Sequence, residues 1–567
     1  ARMLGRTVLQ WDKEDCAWMG LVKFDLLGLG ILSALSISFN LISRHCGRSW
    51  TLAAIPRNEP GVYDMLCRGD SIGVFQVESR AQIGTLPRLK PRCFYDLAVE
   101  IGLIRPGPVQ GGAVHPYIRR RTGAEPVTYP HPLLEPVLER TLGIPVFQEQ
   151  LMQMAITVGN CTAADADLLR RAMGSKRGME RIDSLRTKLF EGMAANGIDD
   201  ETAQDIYARI ESFANFGFAE SHALSFAGLV YSSVWIKLHY PAAYLAALLR
   251  SQPMGFYSSA TLVADARRHG VVTRRPDVVK SSVNADLELL DSCYEEHGGE
   301  GLETGMEGCL RDHDESEIGA FDPNRADGDH RRDTCFAVRL GLSDISGISA
   351  ETATRIVEEG KRRSFASLDD LARRVDLSGE EVEALALAGA FDDLVGSRRG
   401  ALWQIGQING VGPGQLDVQV ATQPPLLPEP TQMELLSDDL HATGISTADH
   451  PIRHVRGVLN RRGVVRIDRL DGVEAGRRIE VAGVVTHRQR PGTAGGVTFL
   501  NLEDETGLLN VIVTPGVWRH YRRVARTSQS LVVRGILERG DEGVMSLQAD
   551  RLEALDLSVS TRSRDFR

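Results

Sequence analysis

Lys23 and Asp25 stand two residues apart in the otherwise apolar run 20–29. If that run is a strand, Val22, Phe24 and Leu26 share one face and the two charged side chains the other, about 7 Å apart. A carboxylate beside an ammonium suits a metal-phosphate site, with aspartate on Mg²⁺ and lysine on phosphate oxygens. A surface ion pair accounts for the same two residues. A second cluster lies at 162–177, where Arg170, Arg171, Lys176 and Arg177 put four cations within eight residues. Thr162 and Asp165 mark a capped helix start and Gly174 its end. Arg170 and Arg171 then fall in the last turn, where cations offset the helix dipole or clamp a triphosphate. His222 opens an apolar helix just after Phe213, Phe216 and Phe218. Gly347 and Ile348, followed by Ser349, make an apolar-glycine-apolar turn between helices. Such helix-hairpin-helix turns offer backbone amides to a DNA phosphate. Ser349 stands where a second glycine is usual.

These residues need elements to hold them. A capped, mainly helical region covers about 50–270. Residues 278–290 look strand-like, and 336–411 read as helical hairpins. A proline-rich linker at 423–430 precedes strand-like runs at 479–487, 496–504, 508–514, 530–538 and 543–552. A helical stretch at 517–525 separates the third from the fourth, which is the order of an OB-fold. His487, Arg488, Arg490 and Phe499 are its candidate contacts to a nucleic acid strand. His450 and His454 share a helical spacing that suits zinc, but no third ligand is near and Pro451 fits a plain helix start.

Composition excludes several classes. At 567 residues the chain needs about three to five domains. Its eight cysteines form no Cys-x-x-Cys pair, which argues against a zinc ribbon or a disulfide framework and fits a reducing, cytoplasmic setting. The longest apolar stretch, 223–235, is too short for a bilayer. The net charge of −10 resides in residues 291–333, which hold 14 acidic residues against 4 arginines. That segment is expected to be a disordered insertion.

Six strings occur in one order: 20–29, 73–80, 103–108, 147–150, 168–176 and 216–222. Together they resemble the bacterial family C DNA polymerases, the polymerase III alpha-subunit type. His487 to Pro491, residues 497–507 and the terminal Ser563-Arg-Asp-Phe-Arg567 resemble the error-prone branch. The resemblance implies a multidomain α+β chain. Its parts would be a palm remnant at 1–45, mainly helical fingers at 46–275 and the acidic insertion at 276–335. A helix-hairpin-helix DNA-binding domain would follow at 336–422, a linker and helical connector at 423–476, an OB-fold β-barrel at 477–557 and a tail at 558–567. It further implies that Asp25 is the third catalytic, metal-holding carboxylate. Lys23, Arg170, Arg171, Lys176 and His222 would face the incoming nucleotide.

The family's other two aspartates lie in an upstream Asp-x-Asp motif. Here such strings occur at 165–167, where Asp165 already serves the helix start with Thr162, and at 312–314 and 327–329, inside the acidic segment. Two-metal transfer needs a carboxylate cluster, so the chain is expected to be a fragment, inactive alone, of an enzyme that copies DNA across damage. Alternative readings are a non-catalytic DNA-binding fragment and a fragment of a replicative alpha subunit. The implied partners are primer-template DNA and deoxynucleotides. An inactive Y-family-like protein that reaches the sliding clamp is a further one, and no membrane is implied.

Overall fold

The helix Glu220–His239 organises the first half of the chain. Its second half, Val230 to His239, is buried on every side, as expected for a helix apolar all round. Ser233 is accommodated there because its Oγ donates to Leu229 O at 2.7 Å. The structure is a computed structural model. It describes residues 7–566 apart from 8, 12, 23, 25–27, 105–113, 173–177, 213–217, 292–329, 409–426, 491–494, 540–544 and 558–563. Most of the acidic insertion, and its expected disorder, thus lies outside the described residues.

Pro241 starts the next helix, Pro241–Arg250, at a position where its missing N–H costs nothing. Leu29–Cys46 packs on it through Ile31, Leu35 and Ile42. Phe94–Leu103 runs along Glu220–His239 and is buried from Asp96 to Leu103. Four further helices, Gln148–Gly159, Ala163–Ala172, Gly178–Ala195 and Asp200–Ser212, enclose a separate core around Leu151, Met154, Leu189 and Ile206. Two of them meet at glycines: a Cβ on Gly192 would lie 2.0 Å from the Gly159 carbonyl oxygen. No side chain fits that crossing.

A small sheet joins the halves. Phe336–Arg339 is its centre, parallel to Thr273–Arg274 and antiparallel to Asp286–Leu289, with Leu289 opposite Phe336. The acidic segment therefore connects two paired strands in sequence. Regular strand occupies Asp286–Leu289 only, not the whole expected stretch 278–290. The hairpin domain follows, with helices Ala350–Arg362, Leu368–Arg374, Gly379–Leu387 and Arg398–Ile408 around Leu371, Leu385 and Phe391.

The last domain is a closed five-stranded barrel. Arg478–Gln489, Thr498–Glu503, Leu508–Val513, Ser530–Arg539 and Met545–Ala554 pair in the order second, third, fifth, fourth, first, and the first closes on the second. Two short helices, Pro515–His520 and Arg522–Thr527, fill the expected helical position. The order is that of an OB-fold. The tail adds a strand the sequence reading did not foresee: Arg564–Phe566 pairs in parallel with His487–Gln489.

Candidate nucleotide and nucleic-acid interface

The strings at 73–80 and 147–150 turn out to be scaffolding. Glu78 accepts the backbone N–H groups of Gly73 and Phe256, each at 3.1 Å, tying two distant turns together. Gln150 is buried and accepts from Val146 N at 2.8 Å while donating to Thr141 Oγ1 at 2.7 Å. Glu149 accepts the N–H of Glu220 at 2.9 Å, and Gln148 N donates to the Phe218 carbonyl at 2.9 Å. These bonds fix where the His222 helix begins.

His222 is exposed on the first turn of that helix. Its ring lies 5.3 Å from Phe218 and 4.1 Å from Phe226, which meets Phe75 edge-on at 5.2 Å. The stack leaves the imidazole facing solvent. Phe213 and Phe216 lie outside the described residues.

Arg170 and Arg171 are exposed in the last turn of Ala163–Ala172, as read from sequence. Both reach back one turn to Asp167, at 2.8 and 2.7 Å. The helix start also matches. Thr162 and Asp165 cap each other, and Lys188 from the neighbouring helix bonds to Asp165. Lys188 and Thr162 together draw the Asp165 carboxyl down to about 2. Lys176 and Arg177 lie outside the described residues.

So do Lys23 and Asp25. Their neighbours Leu21, Val22 and Phe24 have no regular structure, and Val22 and Phe24 are 74% and 79% exposed. The strand expected over 20–29 is therefore not formed among the described residues. A strand needs a paired edge to hold its backbone hydrogen bonds, and none meets this segment there.

The hairpin turn is in place. Gly347 adopts a left-handed φ of 92° and is exposed, while Ile348 is buried as the turn's anchor. Ser349 takes over the helix cap, accepting from Thr352 N at 3.0 Å. Its replacement of a glycine therefore stabilises the helix behind the turn.

The barrel corrects two of four candidates. A register shift between Val485 and His487 interrupts the alternation of the first strand. His487 is buried against the turn at Phe256 and Tyr257, its Nε2 2.6 Å from the Phe256 carbonyl and its ring 5.1 Å from that of Tyr257. Arg488 is also buried and donates to the carbonyls of Ala525, at 2.9 Å, and Ser528. Both are committed to packing. Arg490 remains exposed with its guanidinium 5.9 Å from the centre of the Trp518 ring, and Phe499 is half-buried on the outer face.

The zinc spacing at 450 and 454 is also used otherwise. His450 caps its helix by accepting from Ile452 N at 3.2 Å, and His454 pairs with Asp449 at 2.5 Å. Among the described residues, Asp70, Asp265 and His269 are the group close enough to share a cation. Their cation is already there. Lys237 Nζ sits 2.8 Å from each carboxylate and 3.0 Å from the Ile72 carbonyl. Burial alone would raise the Asp70 carboxyl, yet Lys237 and His269 hold it far below the usual carboxylate range. The network continues through Arg268 to Glu503 of the barrel, 3.7 Å away. Burial pushes the Glu503 carboxyl up to about 7. Sequence reasoning missed this junction. Its one local signal is a lysine directly after an apolar helical run.

Lys237→Met is accordingly expected to destabilise the chain by about 3 kcal/mol, because Asp70 and Asp265 lose the ammonium they share and keep only His269 and Arg268. Urea unfolding of the two proteins checks it, and a loss within error of zero would show the network to be dispensable.

Comparison with known proteins bears on the whole arrangement. Residues 31–197 match the family model described as bacterial DNA polymerase III alpha subunit finger domain. Residues 270–401 match a helix-hairpin-helix motif, and 479–555 an OB-fold nucleic acid binding domain. The chain is 90% identical, over all 567 residues, to a protein of Cutibacterium acnes named error-prone DNA polymerase, of which it covers 50%. Along its whole length it is similar to proteins of that name. Proteins of the same name from Mycolicibacterium paratuberculosis and Corynebacterium glutamicum are 51% and 48% identical over 570 aligned residues. They too are matched along the whole of this chain, which covers 48% and 49% of them. The chain thus spans about half the length of the curated relatives it matches. The three matched segments follow in the order finger domain, helix-hairpin-helix and OB-fold. Among its described residues, no helix is long and apolar enough to cross a membrane.

Proposed function

We propose that the chain contributes fingers, duplex grip and template-strand grip to an enzyme that adds deoxynucleotides to a primer 3′ end, in error-prone synthesis across damaged DNA. The observation that carries this is the exposed arginine pair at the end of Ala163–Ala172, in the segment that matches the polymerase finger domain. Arg170 and Arg171, with Lys176, would neutralise the triphosphate, and Lys23 and His222 would flank it. The Gly347–Ser349 turn would hold a phosphate of the primer-template duplex. Arg490 and Phe499 would face the template strand.

Magnesium would supply Lewis-acid polarisation of the phosphoryl oxygens. The described carboxylate group Asp70–Asp265 does not fit it, because the Lys237 ammonium fills that position. Asp25 is the residue of this chain we assign to the metal. We further propose an inactive Y-family-like partner as the route to the sliding clamp, and a cytoplasmic location.

The test uses the polymerase at the full length of its relatives. Asp25→Asn is expected to lower primer extension at least about 10³-fold while leaving primer-template affinity within about twofold, since a lost metal ligand removes transition-state stabilisation rather than DNA contacts. Extension at the wild-type rate would remove Asp25 from the site.

A further inference from the structure

We propose that the outer face of the helices Pro515–His520 and Arg522–Thr527 binds the phosphate backbone of single-stranded nucleic acid through Arg519, Arg522, Arg523 and Arg526. This rests on the function proposed above and assigns the barrel surface that holds the unpaired strand.

The helix pair is amphipathic across its break. Val517, Trp518, Tyr521, Val524 and Ala525 pack on the barrel core. The four arginines and His520 are left on the other side, all exposed. Several exposed arginines elsewhere among the described residues are paired. Arg119 meets Glu125 at 2.8 Å, Arg462 meets Glu480 and Glu553 at 2.8 Å, and Arg466 meets Asp468 at 2.7 Å. Among the described residues, no carboxylate pairs with any of the four. Arg519 Nε makes a bond of 3.3 Å to the Pro515 carbonyl.

The sequence explains the difference. No aspartate or glutamate occurs between Glu505 and Glu538, nor between Glu480 and Glu503, in a chain whose net charge is −10. An ordinary solvated face mixes signs. Four like charges within eight residues repel one another, and a polyanion is the ligand that relieves them.

One further observation favours a single strand over a duplex. Half-buried aromatic rings lie between the cations: Trp518 with Arg490 near its ring, and Tyr521 with the His520 ring 4.5 Å away. Stacking on unpaired bases suits such rings. The platform is also held rigid from within, because buried Arg488 binds the Ala525 and Ser528 carbonyls at the end of the second helix.

The test titrates a labelled oligodeoxythymidylate into the full chain and follows anisotropy over a range of salt concentrations. Replacing all four residues by glutamine is expected to weaken binding at low salt roughly tenfold or more. The plot of log affinity against log salt should flatten by roughly 3, at about 0.7 per phosphate contact. The corresponding fourfold Arg→Lys variant should keep the slope, and binding of a blunt duplex hairpin should change little. Unchanged slope and affinity in a glutamine variant that melts like the wild type would overturn the inference alone. So would a lysine variant that loses as much as the glutamine one, or an equal loss on duplex. A wild-type chain that binds neither DNA would overturn the parent proposal together with this one.

Discussion

Replacing Arg170 and Arg171 together by alanine, in the polymerase at full length, is expected to weaken deoxynucleotide binding by about 10²- to 10⁴-fold. The magnitude follows from charge-assisted hydrogen bonds contributing roughly 1.5–3 kcal/mol each. The geometry makes these side chains available. Their exposures are 44% and 67%, and both pair with Asp167 on their own helix. Such surface pairs are worth about 0–1 kcal/mol, so a triphosphate displaces Asp167 at small cost. Two measurements separate this role from a helix-end decoration. If the arginines only offset the dipole, nucleotide affinity stays put and stability falls by about 0.3–1 kcal/mol per residue. Asp167→Ala supplies the complementary check. It should leave nucleotide affinity within a few-fold, whereas a large loss would mean that Asp167 itself orients the clamp.

That arginine pair was legible because everything defining it is local: a cap at Thr162, an apolar periodicity and a run of cations at the helix end. The Gly347 turn and the five barrel strands were legible for the same reason, since turn chemistry and strand alternation repeat over a few residues. Arg488 shows where the method ends. Alternation predicts which face a strand residue uses only while the register holds, and the irregularity at Val485–His487 breaks it one residue before the candidates. Glu149 and Gln150 show a second limit. A string shared with a family signals a constraint, and here the constraint is the anchoring of the His222 helix. The Lys237 network was out of reach altogether, because Asp70 and Asp265 are far from it in sequence and only the tertiary fold brings them together.

Glu100 is a carboxyl whose burial has a measurable cost. It lies in Phe94–Leu103 with no exposed surface, and among the described residues neither side-chain oxygen has a hydrogen-bond partner. Burial alone pushes it up to about 8, from 4.5. The native state therefore keeps a proton that the unfolded chain releases between about pH 4.5 and 8. Since unfolding releases that proton, stability falls as pH rises through this window, by about 1.4 kcal/mol per pH unit, and the full penalty is reached above the native value. Glu100→Gln removes the titration and keeps the shape. Its stability relative to wild type is expected to climb steadily from pH 5 to pH 8, by a total on the order of 4 kcal/mol. Urea unfolding of both proteins at each pH reads this difference directly, and effects common to both, such as titration elsewhere, cancel. Any constant cost of burying the amide shifts the whole curve without changing its slope. A pH-independent difference would show that Glu100 is ionised in the native state.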